Sequence, residues 1–238
     1  MAISEVQWPT SVMAHEWKTA QELAKQLASD VAERLRSAIA AQGRATLVVS
    51  GGRSPVAFFE ALRGESLDWS KVVISLADER WVPVQHADSN AGLLRRHLLQ
   101  GPVAKARFLG LYQSAANLDA AALAADEAMA ELPPIDVLVL GMGDDGHTAS
   151  LFPGSPNLVE GLSLESERRV LPMLAPSVPH QRLSLTRRLL ATAAFTALSV
   201  QGAGKLATLR AALADDDLAQ MPIRAFLPVS STHLTLPT

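Results

Sequence analysis

Apolar residues recur at every fourth position along an early stretch of the chain, between Thr19 and Ala41. Charged and amide side chains lie between them and Gly43 ends the pattern, so this stretch is predicted to be an amphipathic helix. A strand is predicted directly afterwards, at residues 46–50. Its apolar run is continuous rather than alternating, which is typical of a strand buried on both faces.

The same unit of strand and helix repeats along the rest of the chain. Apolar runs predict further strands at residues 72–77, 108–111, 135–140, 170–174 and 197–201. Periodic patterns predict helices at residues 55–62, 89–99, 118–132, 187–194 and 205–214. Strands that alternate with helices of this length form a mainly parallel sheet with helices on both faces. We therefore predict the α/β class, and a single domain over residues 1–238 because no linker divides the pattern.

Composition and charge limit the functions open to this chain. The 21 Lys and Arg residues are scattered and the formal net charge is −3, so no nucleic-acid or acidic-membrane surface is predicted. The absence of cysteine excludes disulfides, thiolate catalysis and cysteine-ligated metal centres. The first residues show no basic region before an apolar run, and no later segment is long and apolar enough to span a membrane. We therefore predict a cytoplasmic protein.

The residues that follow each strand are the candidates for function, because ligands of open parallel sheets bind beyond the carboxyl ends of the strands. The first such segment is Ser50-Gly51-Gly52-Arg53-Ser54-Pro55, in which Ser54 is predicted to cap the following helix. Glycines let the main chain approach closely and the helix end is positive, which suits a phosphate group. A tight turn without a ligand explains the segment equally well. It is not a Walker A loop, since no Gly-Lys-Ser/Thr follows.

Further charged residues follow other predicted strands. Asp78-Glu79-Arg80 comes directly after residues 72–77 and can orient sugar hydroxyls, although the three residues alone favour a surface cluster of salt bridges. Arg182 and Lys205 can close on a phosphate from other sides, the first as a planar fork and the second as a point charge. Each of the two alone is typical of a surface cation. Loops rich in Pro and Gly at residues 152–156 and 172–179 are predicted to border the site.

A glycine-rich loop with a histidine, residues 141–148, follows the strand predicted at 135–140. Its glycines match the dinucleotide-binding pattern, but Asp144 and Asp145 would repel a pyrophosphate and Pro153 interrupts any helix that could present its dipole. A histidine can take a proton from water near neutral pH, so His147 is a candidate general base, and Asp145 could fix its tautomer. The alternative is a solvated histidine, which is the commoner case for a lone loop histidine.

Other kinds of catalytic site find no support in the sequence. No Gly-x-Ser-x-Gly elbow indicates a serine esterase. The histidines are dispersed and show no His-x-His or His-Glu-x-x-His spacing, so no metal site is predicted. They are His15, His86, His97, His147, His180 and His233.

Taken together, these segments resemble the 6-phosphogluconolactonase family, within the glucosamine-6-phosphate isomerase superfamily. The matching motifs follow one another from Leu47 to about Arg224, and the third is highly specific. They are Leu47-Val48-Val49-Ser50-Gly51-Gly52-Arg53-Ser54-Pro55, Ala77-Asp78-Glu79-Arg80-Trp81-Val82-Pro83 with Asp88-Ser89-Asn90, Leu140-Gly141-Met142-Gly143-Asp144-Asp145-Gly146-His147-Thr148-Ala149-Ser150-Leu151-Phe152-Pro153-Gly154, Arg182-Leu183-Ser184-Leu185-Thr186 and Gly202-Ala203-Gly204-Lys205.

The resemblance implies a modified Rossmann-like fold, no cofactor, and hydrolysis of 6-phospho-D-glucono-1,5-lactone in the pentose phosphate or Entner-Doudoroff route. It implies that His147 activates the water, while Asp145 and Asp78 line the site and orient the lactone. It leaves Arg80 to pair with either the phosphate or the developing oxyanion. The phosphate is assigned to Gly51, Gly52, Arg53, Ser54, Arg182 and Lys205. The only partner expected is the small sugar-phosphate lactone, and the chain is expected to be a monomer or homodimer.

Two alternatives to a lactonase are considered. The amino-sugar isomerase/deaminase of the same superfamily continues its motif with Asn-Glu-Pro, where Glu assists ring opening, whereas this chain has Phe152, which cannot relay protons. A non-catalytic sugar-phosphate sensor adds a helix-turn-helix, and the region before the predicted sheet has room for only one helix. The last stretch, residues 228–238, lacks the aromatic-containing final strand that the family implies, so we do not count it in the sheet.

Overall fold

A seven-stranded sheet in which every neighbouring pair of strands runs parallel forms the centre of the protein. The computed structural model describes residues 8–10, 12–176, 179–228 and 232–237, so the predicted domain over residues 1–238 and the predicted loop at 172–179 include some residues outside these ranges. In chain order the strands are β1 (Met13–Trp17), β2 (Ala45–Val49), β3 (Val72–Leu76), β4 (Asp78–Arg80), β5 (Arg107–Leu109), β6 (Val137–Leu140), β7 (Val170–Met173), β8 (Arg182–Leu185), β9 (Phe195–Ser199) and β10 (Thr232–Pro237).

The order of strands across the large sheet is β1-β10-β9-β6-β2-β3-β5, and a second, antiparallel sheet has the order β4-β8-β7. In the large sheet, Leu47 of β2 lies opposite Ile74 of β3 on one side and Val137 of β6 on the other. Every side chain of β2 and β6 is buried, which explains why both strands are continuous apolar runs in the sequence. The predicted α/β class with a mainly parallel sheet is confirmed.

Seven α-helices are described around the sheets. The longest, α1, begins after Thr19, whose hydroxyl accepts a hydrogen bond from the N–H of Glu22, and it ends at Gly43 in the left-handed conformation, with φ of 78°. Across the described residues, every helix is too short or too polar to span a membrane. The helices are α1 (Ala20–Gln42), α2 (Val56–Arg63), α3 (Asn90–His97), α4 (Leu118–Ala128), α5 (Leu158–Leu162), α6 (Arg187–Leu190) and α7 (Ala203–Leu213).

Several predictions of individual elements are wrong. The strand predicted at 170–174 is present as β7, but it belongs to the antiparallel sheet and not to the parallel one, because an apolar run does not specify its neighbours. The helix predicted at 187–194 ends at Leu190, and Pro55, not Ser54, lies at the N-cap of α2, without a side-chain cap. Asp78-Glu79-Arg80, which the sequence placed only at the end of a strand, forms a short strand of its own that pairs with β8.

The two strands at the chain's ends were not predicted. Strand β10 lies between β1 and β9, so the stretch excluded from the sheet contributes a strand at residues 232–237. Strand β1 precedes α1, so the sheet begins before the first helix and not after it. Its five residues are only partly buried, which leaves no strong apolar pattern in the sequence.

Candidate active site

A pocket with a cavity volume of about 190 Å³ lies at the carboxyl ends of β2, β6 and β9. This is the edge at which ligands of parallel α/β sheets bind. The pocket brings together nine of the ten residues predicted for the site. They are Gly51, Gly52, Arg53, Ser54, Asp78, Arg80, His147, Arg182 and Lys205. The tenth, Asp145, is not part of the pocket wall, but its carboxylate contacts Nδ1 of His147.

The glycine-rich segment between β2 and α2 forms one wall of the pocket. A Cβ atom on Gly51 would lie 2.0 Å from Oδ1 of Asn90, so only glycine fits there, and Gly52 has a positive φ of 91°. Within the described residues, the N–H groups of residues 51–54 donate to no protein acceptor. These donors lie in the pocket wall just before α2, which makes the segment suited to an anion.

Three basic side chains of the pocket are held in different ways. The guanidinium of Arg182 is nearly buried, and burial lowers its pKa although the carboxylate of Asp78 opposes this shift. Arg80 donates from Nη1 to the carbonyl of Asp88 at 2.7 Å. Lys205 pairs with the exposed carboxylate of Asp144, with Nζ and Oδ1 2.6 Å apart. All three cations face one cavity, which favours an anionic ligand.

The two buried carboxylates of β4, Asp78 and Glu79, have different structural roles. Asp78 lines the pocket and its Oδ2 accepts a hydrogen bond from the Ser150 hydroxyl at 2.6 Å. Glu79 is fully buried and accepts from the backbone N–H groups of Arg80, Asn90 and Ala91 and from the Ser89 hydroxyl. Burial raises the pKa of the Glu79 carboxyl, and those backbone N–H groups oppose the shift. Glu79 therefore ties the start of α3 to β4 and positions Asn90 beside the glycine-rich wall.

His147 forms a short side-chain pair with Asp145. Nδ1 of His147 lies 2.6 Å from Oδ1 of Asp145, which also accepts from the backbone N–H of His147. The hydrogen bond from His147 is the main reason that the pKa of the Asp145 carboxyl is below its ordinary value. In a neutral imidazole, the tautomer that donates from Nδ1 to the Asp145 carboxylate carries its lone pair on Nε2. That lone pair is what a general base requires.

Two glycines make the sharp turn of the His147 loop possible. A Cβ atom on Gly143 would lie 2.0 Å from Nδ1 of His147, and Gly146 has a positive φ of 77°. The Gly143 N–H donates to the His147 carbonyl at 2.8 Å, which closes the loop. The glycines that match a nucleotide-binding pattern in the sequence therefore serve to place an imidazole and not a pyrophosphate.

Sequence reasoning assigned no role to several pocket residues. The hydroxyl of Ser50 and Oδ1 of Asn90 are buried in the pocket wall and have no hydrogen-bond partner among the described residues. Buried polar atoms are nearly always paired, so these two atoms are suited to a polar ligand. Both residues lie in segments that the sequence had singled out, Asn90 in Asp88-Ser89-Asn90 and Ser50 at the start of the glycine-rich segment after β2, and these were the available signals.

Two of the histidines that are dispersed along the sequence lie close together in the fold. His86 and His180 are brought together by the fold, with ring centroids 5.3 Å apart in an edge-to-face arrangement. Asp88 lies between them, with its Oδ2 2.9 Å from Nε2 of His180 and 3.8 Å from Nδ1 of His86. The hydrogen bond from His180 lowers the pKa of the Asp88 carboxyl. No local sequence spacing could indicate the whole cluster, because His180 is 92 positions from Asp88.

The fold and the pocket define an α/β protein whose glycine-rich wall, cations and base gather at the carboxyl edge of a parallel sheet. The chain belongs to the family described as glucosamine-6-phosphate isomerases/6-phosphogluconolactonase, whose model matches residues 18–235. The family membership indicated by the sequence motifs is thereby confirmed.

Relatives with high sequence identity carry one name. A 6-phosphogluconolactonase of Pseudomonas putida is 73% identical over 227 residues, covering 95% of this chain and 94% of the relative. That of Pseudomonas aeruginosa strain PAO1 is 64% identical over 228 residues, covering 95% and 96%. The crystal structure of a 6-phosphogluconolactonase from Shewanella baltica superposes with a TM-score of 0.91 at 38% identity, covering 97% of this chain and 98% of that one. The lactone-hydrolase activity predicted from the sequence agrees with these names.

Proposed function

We propose that this protein hydrolyses 6-phospho-D-glucono-1,5-lactone to 6-phospho-D-gluconate, with His147 as the general base. The observation that carries the base assignment is the pair of His147 and Asp145, with Nδ1 and Oδ1 2.6 Å apart, at the wall of a pocket rich in cations. The activity rests on the relatives named 6-phosphogluconolactonase at up to 73% identity. Lactone hydrolysis needs an activated water, a way to balance the oxyanion and an anchor for the phosphate, and the pocket holds groups suited to each.

The reaction starts with proton transfer from water to Nε2 of His147. The water oxygen forms a bond to the lactone carbonyl carbon, and the carbonyl electron pair moves to its oxygen. The imidazolium is stabilised by the Asp145 carboxylate, which accepts from Nδ1. When the tetrahedral intermediate collapses, the bond to the ring oxygen breaks and His147 returns its proton to that oxygen. The base is thus regenerated and the open-chain acid is released.

The phosphate is assigned to a separate set of residues in the pocket wall. We assign it to the free N–H groups of Gly51, Gly52, Arg53 and Ser54, with Arg182 and Lys205 supplying charge. A remote anchor of this kind orients the lactone carbonyl toward the base and reduces the entropy lost on reaction. Arg80 lines the same cavity and can serve the phosphate or the oxyanion.

The sugar hydroxyls are assigned to polar side chains of the wall. Asp78 is placed by Ser150 and can accept from one hydroxyl. Ser50 and Asn90 each have a buried oxygen without a partner among the described residues, so a substrate hydroxyl can satisfy them. The cytoplasmic location, the absence of a cofactor and the monomeric or homodimeric state remain predictions from the sequence.

Phe152 favours the lactonase over the amino-sugar deaminase. Its ring is 2% exposed and lies against the imidazole of His147, in the place where the deaminase motif has a glutamate. An apolar ring at this position cannot transfer the proton that ring opening of an amino sugar requires.

A direct assay with two substrates tests the proposed activity. The purified protein is offered the lactone and glucosamine 6-phosphate separately, and the uncatalysed opening of the lactone is subtracted. We expect rapid acid release from the lactone and no ammonia from the amino sugar. Ammonia release from glucosamine 6-phosphate at a comparable kcat/KM would instead support the deaminase, and inactivity toward both would support the sensor.

A further inference from the structure

A cluster of metal-ligating side chains lies beside the substrate pocket and has no part in the reaction described above. It consists of His86 and Asp88, from the loop between β4 and α3, and His180, from the segment that leads into β8. One ligand atom from each residue lies within 4.8 Å of the other two. We propose that these three side chains bind a transition-metal dication of the zinc class.

The distances within the cluster are close to those of a zinc site. With metal–ligand bonds of about 2.0–2.1 Å, two ligand atoms of a tetrahedral site lie roughly 3.3 Å apart. Oδ2 of Asp88 is 2.9 Å from Nε2 of His180 and 3.8 Å from Nδ1 of His86, so the two separations lie on either side of that value. Small rotations of exposed side chains suffice to admit the ion.

The chemistry of the ligands selects the ion. Two imidazoles with one carboxylate suit Zn²⁺, Ni²⁺ or Cu²⁺, whereas Mg²⁺ and Ca²⁺ prefer oxygen ligands throughout. Nδ1 of His86 accepts a hydrogen bond from the Asp88 N–H at 3.1 Å, so the exposed imidazole has to rotate and release this hydrogen bond before its nitrogen can bind the ion. The side chains are 43%, 54% and 26% exposed for His86, Asp88 and His180, which leaves room for water in the remaining position.

The proposed site is linked to the substrate pocket through two backbone carbonyls. The carbonyl of Asp88 accepts from Arg80 at 2.7 Å, and the carbonyl of His180 accepts from Nε of Arg182 at 3.4 Å. A metal held by these two residues fixes the carbonyls that position both arginines. The same arginines are positive and oppose a cation, so the binding is expected to be weaker than in a closed structural zinc site.

Zinc titration by calorimetry tests the proposal on the full chain in metal-free buffer. We expect one Zn²⁺ per chain, with binding weakened at least tenfold in His86→Ala and in His180→Ala. His97→Ala is the matched control, because His97 pairs with Glu60 at 2.9 Å on the surface and lies outside the cluster. His147→Ala separates this site from the catalytic pair, and both of these variants should bind as the wild type does.

The test of the metal site is independent of the lactonase activity, because zinc binding is measured without turnover. Unchanged affinity in both His86→Ala and His180→Ala would overturn the proposal, as would loss of zinc binding in His147→Ala alone. Absence of wild-type binding below millimolar zinc would also overturn it. Circular dichroism melting of each variant verifies the fold, and Asp88→Asn gives a second test that leaves both imidazoles in place. A failure here leaves the proposed lactonase activity untouched, since no step of that reaction uses the cluster.

Discussion

The imidazole of His147 and the ring of Phe152 pack against each other, with centroids 4.3 Å apart and planes inclined by 37°. The guanidinium of Arg182 lies 5.5 Å from the centroid of the same phenyl ring. Phe152 therefore contacts both the proposed base and one proposed phosphate ligand. Phe152 is buried, so it shields one face of the imidazole from water, while the carboxylate of Asp145 hydrogen-bonds with Nδ1.

Replacing Phe152 with Leu is expected to lower kcat. The substitution keeps an apolar side chain but removes the aromatic contact with His147, which is worth about 0.5–1.5 kcal/mol or roughly two- to tenfold in rate. Steady-state kinetics on the lactone measures the change. Phe195→Leu is the control, because this buried phenyl lies at the opposite end of β9 from the pocket and should lose stability without losing kcat. Equal loss of kcat in both variants would show that Phe152 acts only through general stability.

Asp145→Asn is expected to reduce kcat by about 10²–10⁴-fold with little change in KM, because the neutral amide no longer stabilises the imidazolium or fixes its tautomer. Activity of the variant near the wild-type level would contradict the role given to Asp145. The measurement is kcat and KM for the lactone, with Asp119→Asn as a surface control in α4.

The pair of His147 and Asp145 also leads to a prediction about the pH dependence of stability. The hydrogen bond from His147 lowers the folded-state pKa of Asp145, so the stability from this pair is complete above the ordinary aspartate pKa of about 3.9 and is lost as the pH falls through the lowered folded value. Urea unfolding should therefore show a difference between wild type and Asp145→Asn at pH 6 that shrinks in that acidic range. A difference that grows with acidification would contradict the assignment.

Lys205 and Asp144 give a test of the phosphate anchor. Their pair is partly exposed, with Nζ and Oδ1 2.6 Å apart, and a phosphate must compete with the carboxylate for the cation. Lys205→Ala should raise KM, whereas Asp144→Asn should lower KM by about two- to fivefold, as expected for release from an exposed ion pair. If both variants raise KM alike, the ion pair contributes to the structure of the site and Lys205 does not bind the phosphate.

The hydroxyl of Ser50 provides a test that separates binding from stability. Because it has no partner among the described residues, Ser50→Ala should leave the free protein as stable as the wild type or more so. Loss of a hydrogen bond to the substrate should lower kcat/KM by about two- to tenfold. Ser75→Ala is the matched control, since its buried hydroxyl donates to the Leu109 carbonyl at 2.7 Å and should lose stability while keeping kcat/KM. Unchanged kcat/KM in Ser50→Ala would remove Ser50 from the site.

The central part of the fold is predictable from the sequence because its elements are strongly patterned. Helix α1 has an uninterrupted four-residue period with a cap at each end, and β2, β3 and β6 are almost wholly apolar. The edges of the fold lack such a signal. Strand β1 is partly exposed, and the strand predicted at 170–174 pairs outside the main sheet, which depends on tertiary contacts that a local pattern does not encode.

The site is predictable to the extent that it follows the strands. The segments after β2, β3, β6 and β9 contribute to the pocket wall, because parallel strands end at one edge of the sheet, whereas Arg182 reaches the pocket from the start of the antiparallel strand β8. The described residues of the loops predicted to border the site, at 152–156 and 172–179, do not line the pocket. The contacts between segments could not be predicted. The packing of Phe152 on His147, the pairing of Lys205 with Asp144 and the cluster around Asp88 arise from the fold alone.

The most direct measurement of the central claim is the rate of lactone hydrolysis by His147→Ala compared with the wild type, after subtraction of uncatalysed opening. Loss of the base should lower kcat by about 10²–10⁴-fold and leave KM nearly unchanged, because the phosphate anchor is intact. His97→Ala, which removes an imidazole from a surface pair with Glu60, should behave as the wild type. A His147→Ala variant that is folded and retains the wild-type kcat would contradict the account.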